Sequence, residues 1–202
     1  MKNIKYNIKR RNNNSTILYL IIKWIFKVIF KLFYRISIKG VNNLPKKGGA
    51  IIASNHLSVL DPPLIGVAVK RIIFFMAKKE LFDISFLRFI FHKTNVFPVN
   101  RNNMFNINTI KYAINILING NILLMFPEGT RGKTKKIKHG IGMIACKANV
   151  PIIPVKIRNT DQPLKFKKVK IKFGSPIYPP IYYNKTDYGI LTDKVFKIIT
   201  KM

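Results

Sequence analysis

The stretch GGAIIASNHLSVLDPP, residues 48–63, indicates how this chain folds. Its first part, GGAIIAS, is a short apolar run bounded by glycines, which is typical of a buried strand. Its last part is a helix start signal, with Asp61 expected at the N-cap and Pro62 at the first helical position. A buried strand followed directly by a helix is the unit from which parallel sheets with helices on both faces are built.

The same alternation continues along the rest of the chain. Further strands are predicted at residues 71–77, 95–99, 121–126, 150–157 and 168–173, and further helices at 80–92, 104–120, 140–149 and 186–200. The run VPIIPVKI contains two prolines, which predicts an edge strand because proline has no N–H to donate. The run KVKIKF alternates strictly, which predicts a half-exposed strand. We expect one α/β domain, residues 40–202, with a mostly parallel sheet flanked by helices.

The charge balance of the chain is extreme. Its 202 residues hold 37 Lys and Arg against 7 Asp and Glu, a net charge of +30. Such a chain attracts polyanions, which include nucleic acid, anionic lipid headgroups, phosphorylated substrates and acidic carrier proteins. A nucleic-acid-binding module is the weaker alternative, because no zinc spacing and no nucleic-acid recognition motif accompanies the charge.

The N-terminal segment, residues 1–39, is expected to associate with a membrane through a helix in its apolar run, residues 16–36. Four cations recur at four-residue intervals along this run: Lys23, Lys27, Lys31 and Arg35. At 100° per residue they form one stripe on an otherwise apolar helix, which is typical of a helix lying in the membrane interface. A transmembrane helix is an alternative, at a cost of about 3 kcal/mol for each lysine near the bilayer centre. A helix that covers the core with a solvated stripe is another.

Two residues of the opening stretch are candidates for proton transfer. His56 and Asp61 are five residues apart, which would place them about 140° apart on one helix. They can meet only across a loop, and a strand that ends near Ser54 leaves room for one. His56 then follows the carboxyl end of a strand, where open α/β sheets bind their ligands. The alternative is that Asp61 only caps its helix and His56 is a surface residue.

A second polar motif, FPEGTR at residues 126–131, follows another predicted strand. Glu128 is one of only two glutamates in the chain. Gly129 permits a tight turn, while Thr130 and Arg131 supply a hydroxyl and a guanidinium suited to phosphate. A polar turn with a surface ion pair is the alternative interpretation.

Four blocks of sequence, in order, resemble the glycerolipid acyltransferases, and among them the bacterial 1-acyl-glycerol-3-phosphate (lysophosphatidic acid) acyltransferases. NHLSVLD resembles that family's His-four-residues-Asp motif, and FPEGTR matches its second signature. MAKKELF with VFPVNR resembles the block between them, and KHGIGMIACKANVPIIPV resembles the block that follows. The resemblance covers about residues 40–180. One departure is Asn100, where the family commonly has an aspartate.

The resemblance implies transfer of an acyl group from a thioester, either acyl-CoA or acyl-acyl carrier protein, to the free hydroxyl of lysophosphatidic acid. His56 would be the general base that takes the hydroxyl proton, and Asp61 would orient its ring. The acceptor supplies the oxygen nucleophile, so Ser58 and Cys146 are expected to be bystanders. Cys146 is the only cysteine and is expected to pack as a small apolar residue.

A set of substrate-binding residues is implied in the same way: Arg101, Glu128, Gly129, Thr130, Arg131 and Lys78. The two arginines would hold the acceptor phosphate, with Lys78 as a weaker candidate. Glu128 would accept hydrogen bonds from the glycerol backbone, and the remaining two residues would shape the loop. No metal, no bound cofactor and no nucleic-acid partner is expected.

The expected location is the cytosolic face of the inner (cytoplasmic) membrane, where the protein would be monotopic or peripheral and would contact an anionic membrane surface. Besides the nucleic-acid-binding module, two further alternatives are open. One is an acyltransferase that acts on another glycerol-phosphate or lysophospholipid acceptor, and the other is a non-catalytic membrane scaffold.

Overall fold

A computed structural model describes residues 13–100, 107–128, 139–161 and 168–202. The strands are β1 (Ile36–Lys39), β2 (Ala50–Ser54), β3 (Ile73–Lys78), β4 (Val96–Val99), β5 (Ile122–Met125), β6 (Ile152–Arg158) and β7 (Val169–Phe173). The α-helices are α1 (Asn13–Phe33), α2 (Asp61–Ala68), α3 (Ser85–Lys93), α4 (Ile107–Ile118), α5 (Gly140–Ala148) and α6 (Lys185–Lys201), with short 3-10 helices at Val41–Asn43 and Lys79–Phe82. The expected α/β architecture is confirmed.

The seven strands form one sheet in the order β1-β7-β6-β2-β5-β3-β4. Every neighbouring pair is parallel except β6 with β7. All residues of the central strands β2 and β5 are buried, which explains why their sequences AIIAS and ILLM are apolar without alternation. From β2 the chain proceeds through α2 to β3 on one side, and from β5 it proceeds through α5 to β6 on the other side. The carboxyl ends of β6, β2 and β5 therefore meet at a change of direction, where open α/β sheets bind ligands.

Apolar layers cover both faces of the sheet. One layer lies between the sheet and helices α4, α5 and α6, and includes Ile144 and Val195. The other lies between the sheet and helices α1 and α2, and includes Phe30 and Leu64. Strand β7 contributes to the second layer through alternate residues only, which confirms the predicted half-exposed strand.

Strand β6 lies between β2 and β7, so the prediction of an edge strand at VPIIPVKI is wrong. On its β7 side, the N–H of Ile152 bonds to the carbonyl of Ile177, and the carbonyl of Pro154 accepts from the N–H of Gly174. The missing N–H of Pro154 falls on this same side, between the Ile152–Ile177 bridge and the pairs of β6 with β7 that begin at Val155. Proline is tolerated there because the strand pairing requires no donor at that position.

Strand β1 is not predicted by the sequence pattern. It is four residues long and pairs in parallel with β7 at the end of the sheet. The first strand of the sheet in chain order therefore begins at Ile36.

Helix α1 has one side packed on the protein and one apolar side in solvent. Tyr19 and Phe30 are buried, whereas the side chains of Trp24 and Leu32 are 65% and 72% exposed. Among the helices that the structure describes, none combines the length and the apolar character needed to cross a membrane.

The expected stripe of four cations on α1 is only partly present. Lys27 and Lys31 are exposed, but the ammonium of Lys23 turns inward and donates to the backbone carbonyls of Val69 and Lys70 at the end of α2. Burial, and secondarily the charge of Lys27, lowers the pKa of Lys23. Arg35 lies beyond the end of the helix.

Candidate active site

Three neighbouring strands place buried polar side chains at one edge of the sheet. His56 lies two residues after β2, Glu128 three residues after β5, and Thr160 two residues after β6. All three are buried. Because the three strands are parallel neighbours, their carboxyl ends meet at the same edge, and groups from distant parts of the chain converge there.

His56 and Asp61 are in contact. The Nδ1 atom of His56 lies 2.9 Å from Oδ2 of Asp61. The residues between them form a loop that turns the chain from the end of β2 into α2, and this loop brings together two side chains that a helix would keep apart. Since a carboxylate only accepts hydrogen bonds, Nδ1 of the imidazole is the donor, and in the neutral imidazole Nε2 then carries the lone pair.

Asp61 is fully buried and accepts hydrogen bonds on both carboxylate oxygens. Besides His56, Oδ2 accepts from the N–H groups of Leu57 at 2.6 Å and Ser58 at 2.8 Å. Oδ1 accepts from the hydroxyl of Thr160 at 2.6 Å. A buried carboxylate needs such donors to replace the water it has lost. The arrangement fixes the carboxylate, which in turn fixes the imidazole.

The structure corrects the expected role of Asp61 as a helix cap. Leu60 occupies the N-cap position, and Asp61 is the first residue of α2. Its carboxylate points back over the preceding loop, where it binds the N–H groups of Leu57 and Ser58. The loop and the imidazole therefore use the oxygens that a capping aspartate would offer to its own helix.

Phe126 packs against the imidazole of His56. The two rings are stacked, with their centroids 4.0 Å apart and their planes at 17°. Phe126 is the first residue of the FPEGTR motif and follows β5 directly. The two sequence motifs are thus in direct contact, and the stacked ring restricts rotation of the imidazole out of the plane set by Asp61.

Asn55 anchors the start of the same loop. Its side-chain amide donates to the carbonyl of Ile157 at 2.9 Å and accepts from the N–H of Ile157 at 2.8 Å. In this way a side chain continues the pairing of β2 with β6 by one step beyond the end of β2. The position of the neighbouring His56 is set relative to β6 as well as to β2.

Sequence reasoning did not assign Asn55, Phe126 or Thr160 to the site. Asn55 had a local signal, since a buried amide at the end of an apolar strand needs partners. Thr160 had none, because it lies 99 residues from Asp61 in the sequence. No spacing rule relates two residues at such a separation.

Of the other predicted site residues, the structure describes two. Glu128 is buried at the end of β5. Lys78 ends β3, one strand beyond β5, and its ammonium lies 3.6 Å from the carboxylate of Glu80 in an exposed ion pair. Arg101, Gly129, Thr130 and Arg131 lie outside the described residues. Within the part of the chain that is described, no three His, Cys, Asp or Glu side chains are grouped so as to hold a metal ion.

Comparison with known proteins identifies the family of the chain. The Acyltransferase family model matches residues 35–158. The 1-acyl-sn-glycerol-3-phosphate acyltransferase of Bacillus subtilis is 33% identical over 157 residues, which cover 75% of this chain and 78% of the relative. The protein of that name from Borreliella burgdorferi is 30% identical over 148 residues, which cover 71% of this chain and 59% of the relative.

A solved structure is similar over nearly the whole chain. The crystal structure of the 1-acyl-sn-glycerophosphate (LPA) acyltransferase PlsC from Thermotoga maritima matches with a TM-score of 0.73 at 28% sequence identity. The match covers 96% of this chain and 82% of that one. The His56–Asp61 pair and its supporting contacts thus lie within a known fold, and the chain belongs to the acyltransferase family.

Proposed function

We propose that this protein transfers a fatty acyl group from an acyl thioester to the free hydroxyl of 1-acyl-glycerol-3-phosphate, which makes phosphatidic acid for phospholipid synthesis. The observation that carries the proposal is the buried His56–Asp61 contact of 2.9 Å at the carboxyl edge of the sheet. It is supported by relatives that bear the name of this activity.

The chemistry needs one base and no nucleophile from the protein. Nε2 of His56 accepts the proton of the acceptor hydroxyl as its oxygen attacks the thioester carbonyl. The resulting tetrahedral intermediate collapses and expels the thiolate, which takes the proton back from the imidazolium. Asp61 stabilises the imidazolium through the hydrogen bond at Nδ1. The donor is acyl-CoA or acyl-acyl carrier protein, and neither a metal nor a bound cofactor takes part in these steps.

Acceptor binding is assigned by the family resemblance. Arg101 and Arg131 would grip the phosphate of lysophosphatidic acid, since a guanidinium can donate two parallel hydrogen bonds to phosphate. Glu128 would accept hydrogen bonds from the glycerol backbone, and Gly129 and Thr130 would shape the loop. The burial of Glu128 at the end of β5, next to β2, supports its part in the assignment. Lys78 is the weaker phosphate candidate because its ammonium already forms an exposed ion pair with Glu80.

Exposed apolar side chains support the proposal that the protein acts at a lipid surface. Leu57 and Val59, in the loop that carries His56, are both exposed. On α3, which contacts α1, the side chains of Phe86 and Phe89 are exposed as well. With Trp24 and the rest of the outer face of α1, these residues would enter the interface of an anionic membrane. The proposed location is the cytosolic face of the inner (cytoplasmic) membrane, in a monotopic or peripheral arrangement, with residues 1–39 as the membrane-associating part.

The test is an assay of the purified protein with lysophosphatidic acid in vesicles and with each donor in turn. We expect labelled phosphatidic acid to form, and a folded His56→Ala variant to form none. A panel of other acceptors, including glycerol 3-phosphate and other lysophospholipids, measures the preference. If another acceptor is used in place of lysophosphatidic acid, or if no donor supports transfer, the proposed function is wrong.

A further inference from the structure

One face of the sheet at β1, β7 and β6 carries rows of cations. The register of the strands makes Lys39, Lys172 and Lys156 neighbours in one row across the three strands, and Ser37, Lys170 and Arg158 neighbours in the next row. Lys168 lies two residues before Lys170 and extends the same face. These side chains line an open cavity of about 320 Å³.

Six of the nine residues that line this basic face are cations. The other residues that line it are Ser37, Ile171 and Met202, none of which has an acidic side chain. Within the described parts of the chain, Lys39, Arg158, Lys170 and Lys172 form no ion pair. Adjacent strands are about 4.8 Å apart, and like charges directly opposite one another destabilise a sheet. The face is therefore complementary to a partner that presents several anionic groups at close spacing.

The basic face points away from helix α1. In β7, Val169 and Ile171 belong to the apolar layer that also holds Phe30 of α1. The lysines of β7 alternate with these residues and so lie on the opposite face of the sheet. If α1 rests on a membrane, the basic face is directed toward the aqueous side. The geometry thus favours a soluble anionic partner over lipid headgroups.

One end of the basic face lies close to the active site. Arg158 is the last residue of β6, and Thr160, two residues later, bonds to Asp61. Two residues of chain span at most about 7 Å. A partner seated on the basic face would stand beside the edge of the sheet that holds His56, so a thioester on an extended arm could reach the imidazole while the body of the partner stays outside.

We infer that the basic face, defined by Lys39, Lys156, Arg158, Lys168, Lys170 and Lys172, is the docking surface for an acidic carrier protein that delivers the acyl thioester. The inference rests on the proposed function, which requires a thioester donor but does not decide between acyl-CoA and acyl-acyl carrier protein. Electrostatic complementarity of this kind raises the association rate and weakens with salt.

A triple substitution, Lys39→Gln, Lys170→Gln and Lys172→Gln, tests the inference. The matched control is Lys46→Gln, Lys47→Gln and Lys111→Gln, which removes the same number of positive charges from exposed positions outside the basic face. Lys46 and Lys47 precede β2 and so lie at the end of the sheet away from His56. Circular dichroism and thermal melting establish that both variants fold.

Two readouts separate docking from chemistry. One is the Kd for an acyl carrier protein, measured without turnover at low and high salt. The other is the pair of KM values for acyl-acyl carrier protein and acyl-CoA. We expect the triple variant to raise the Kd and the KM for the carrier protein at least tenfold and to leave the KM for acyl-CoA within twofold. The control variant should leave the Kd and both KM values within twofold of those of the unmodified protein.

Each other result overturns the inference in a recognisable way. Equal losses in both triple variants would mean that only net charge matters. A raised KM for acyl-CoA alone would assign the face to nucleotide phosphates, and reduced binding to anionic vesicles alone would assign it to lipid. Turnover with acyl-CoA in a protein that binds no carrier protein would end the docking inference and leave the proposed function standing. If carrier binding depends on the basic face but no donor supports turnover, the docking inference would stand and the proposed function would be wrong.

Discussion

The hydroxyl of Thr160 donates a hydrogen bond of 2.6 Å to Oδ1 of Asp61, from a position 99 residues further along the chain. Both residues are fully buried. The bond occupies the carboxylate oxygen that His56 does not use, so Asp61 is held from both sides. It also ties the loop after β6 to the loop after β2. The orientation of the imidazole therefore depends on the pairing of two strands as well as on the local motif.

The first prediction concerns the two members of the buried pair. His56→Ala should abolish transfer because the base is gone. Asp61→Asn should keep the fold, since the amide oxygen can still accept from the N–H groups of Leu57 and Ser58 while the amide NH2 donates toward the Thr160 hydroxyl. It should lower kcat by roughly 10²–10⁴, because a neutral amide no longer stabilises the imidazolium. Steady-state kinetics of both variants, with circular dichroism as the folding control, measure this. Near-normal turnover in folded His56→Ala protein would refute the mechanism.

The second prediction separates a positioning role of Thr160 from a structural one. Thr160→Val removes the hydroxyl with little change in shape and leaves Oδ1 of Asp61 without that donor. We expect kcat to fall about tenfold while the KM for both substrates stays within twofold, which corresponds to about 1.4 kcal/mol in the transition state. Thr160→Ser restores a hydroxyl and should recover most of the rate. A fall in melting temperature without a change in kcat would show that Thr160 serves the fold alone.

The third prediction concerns Asn55, which bonds to both backbone groups of Ile157. Asn55→Asp has the same shape, but it places a carboxylate oxygen against the Ile157 carbonyl. Leaving buried polar groups without a donor costs about 1–3 kcal/mol, and each kcal/mol lowers the melting temperature by about 2–4 °C in a domain of this size. Calorimetry should show that loss, together with reduced activity. Asn42→Asp, at an exposed position in the 3-10 helix Val41–Asn43, is the matched control and should leave the melting temperature within 1–2 °C, roughly the effect expected of surface substitutions.

The succession of strands and helices could be predicted from the sequence because it depends on local patterns. Each buried run, such as AIIAS in β2, carries its own apolar signal and its own turn residues. The order of strands does not depend on local patterns, and this is why β6 was expected at an edge but lies inside the sheet. Strand β1 has only four residues, too few for a periodic signal, and it is a strand because β7 pairs with it.

The site shows the same division between local and long-range information. The sequence motif indicates His56 and Asp61. Only four residues separate them between a strand and a helix, and so short a loop keeps their side chains within contact distance. The partner of Lys23 could not be predicted. Helical periodicity assigns Lys23 to the stripe, but the carbonyls at the end of α2 lie 46 and 47 residues away and attract its ammonium.

The fourth prediction concerns Cys146, which is buried on α5. Burial, and secondarily the charge of Asp187, raises the pKa of its thiol. The folded protein therefore holds the thiol proton more tightly than the unfolded chain, and this contribution to stability is lost as pH rises above about 8.5, where an exposed thiol ionises. At pH 8 a disulfide reagent should label the native protein at least 100-fold more slowly than the urea-unfolded protein. Equal rates would show an accessible thiolate. Activity should be unchanged in Cys146→Ser, since the mechanism does not use the thiol.

The last prediction concerns the outer face of α1. Lys27 and Lys31 are exposed cations on it, and Trp24 and Leu32 are exposed apolar residues. Lys23 is left unchanged in the design because its ammonium binds the end of α2. One variant reverses the two cations to Glu, and a second replaces the two apolar residues by Ser.

The two variants should respond differently to lipid charge. Each juxtamembrane cation is worth about 1 kcal/mol near an anionic surface, so the reversal should weaken binding to anionic vesicles by about 30-fold or more and leave neutral vesicles unaffected. High salt should likewise weaken the binding of the unmodified protein to anionic vesicles, because it screens the same charges. The apolar variant should weaken binding to both kinds of vesicle, because it removes buried area rather than charge. Activity on a short-chain, soluble lysophosphatidic acid should survive in both variants, since His56 and Asp61 lie elsewhere. Sedimentation with vesicles measures the binding, and retention of both variants in alkaline carbonate would show that this helix does not lie in the interface.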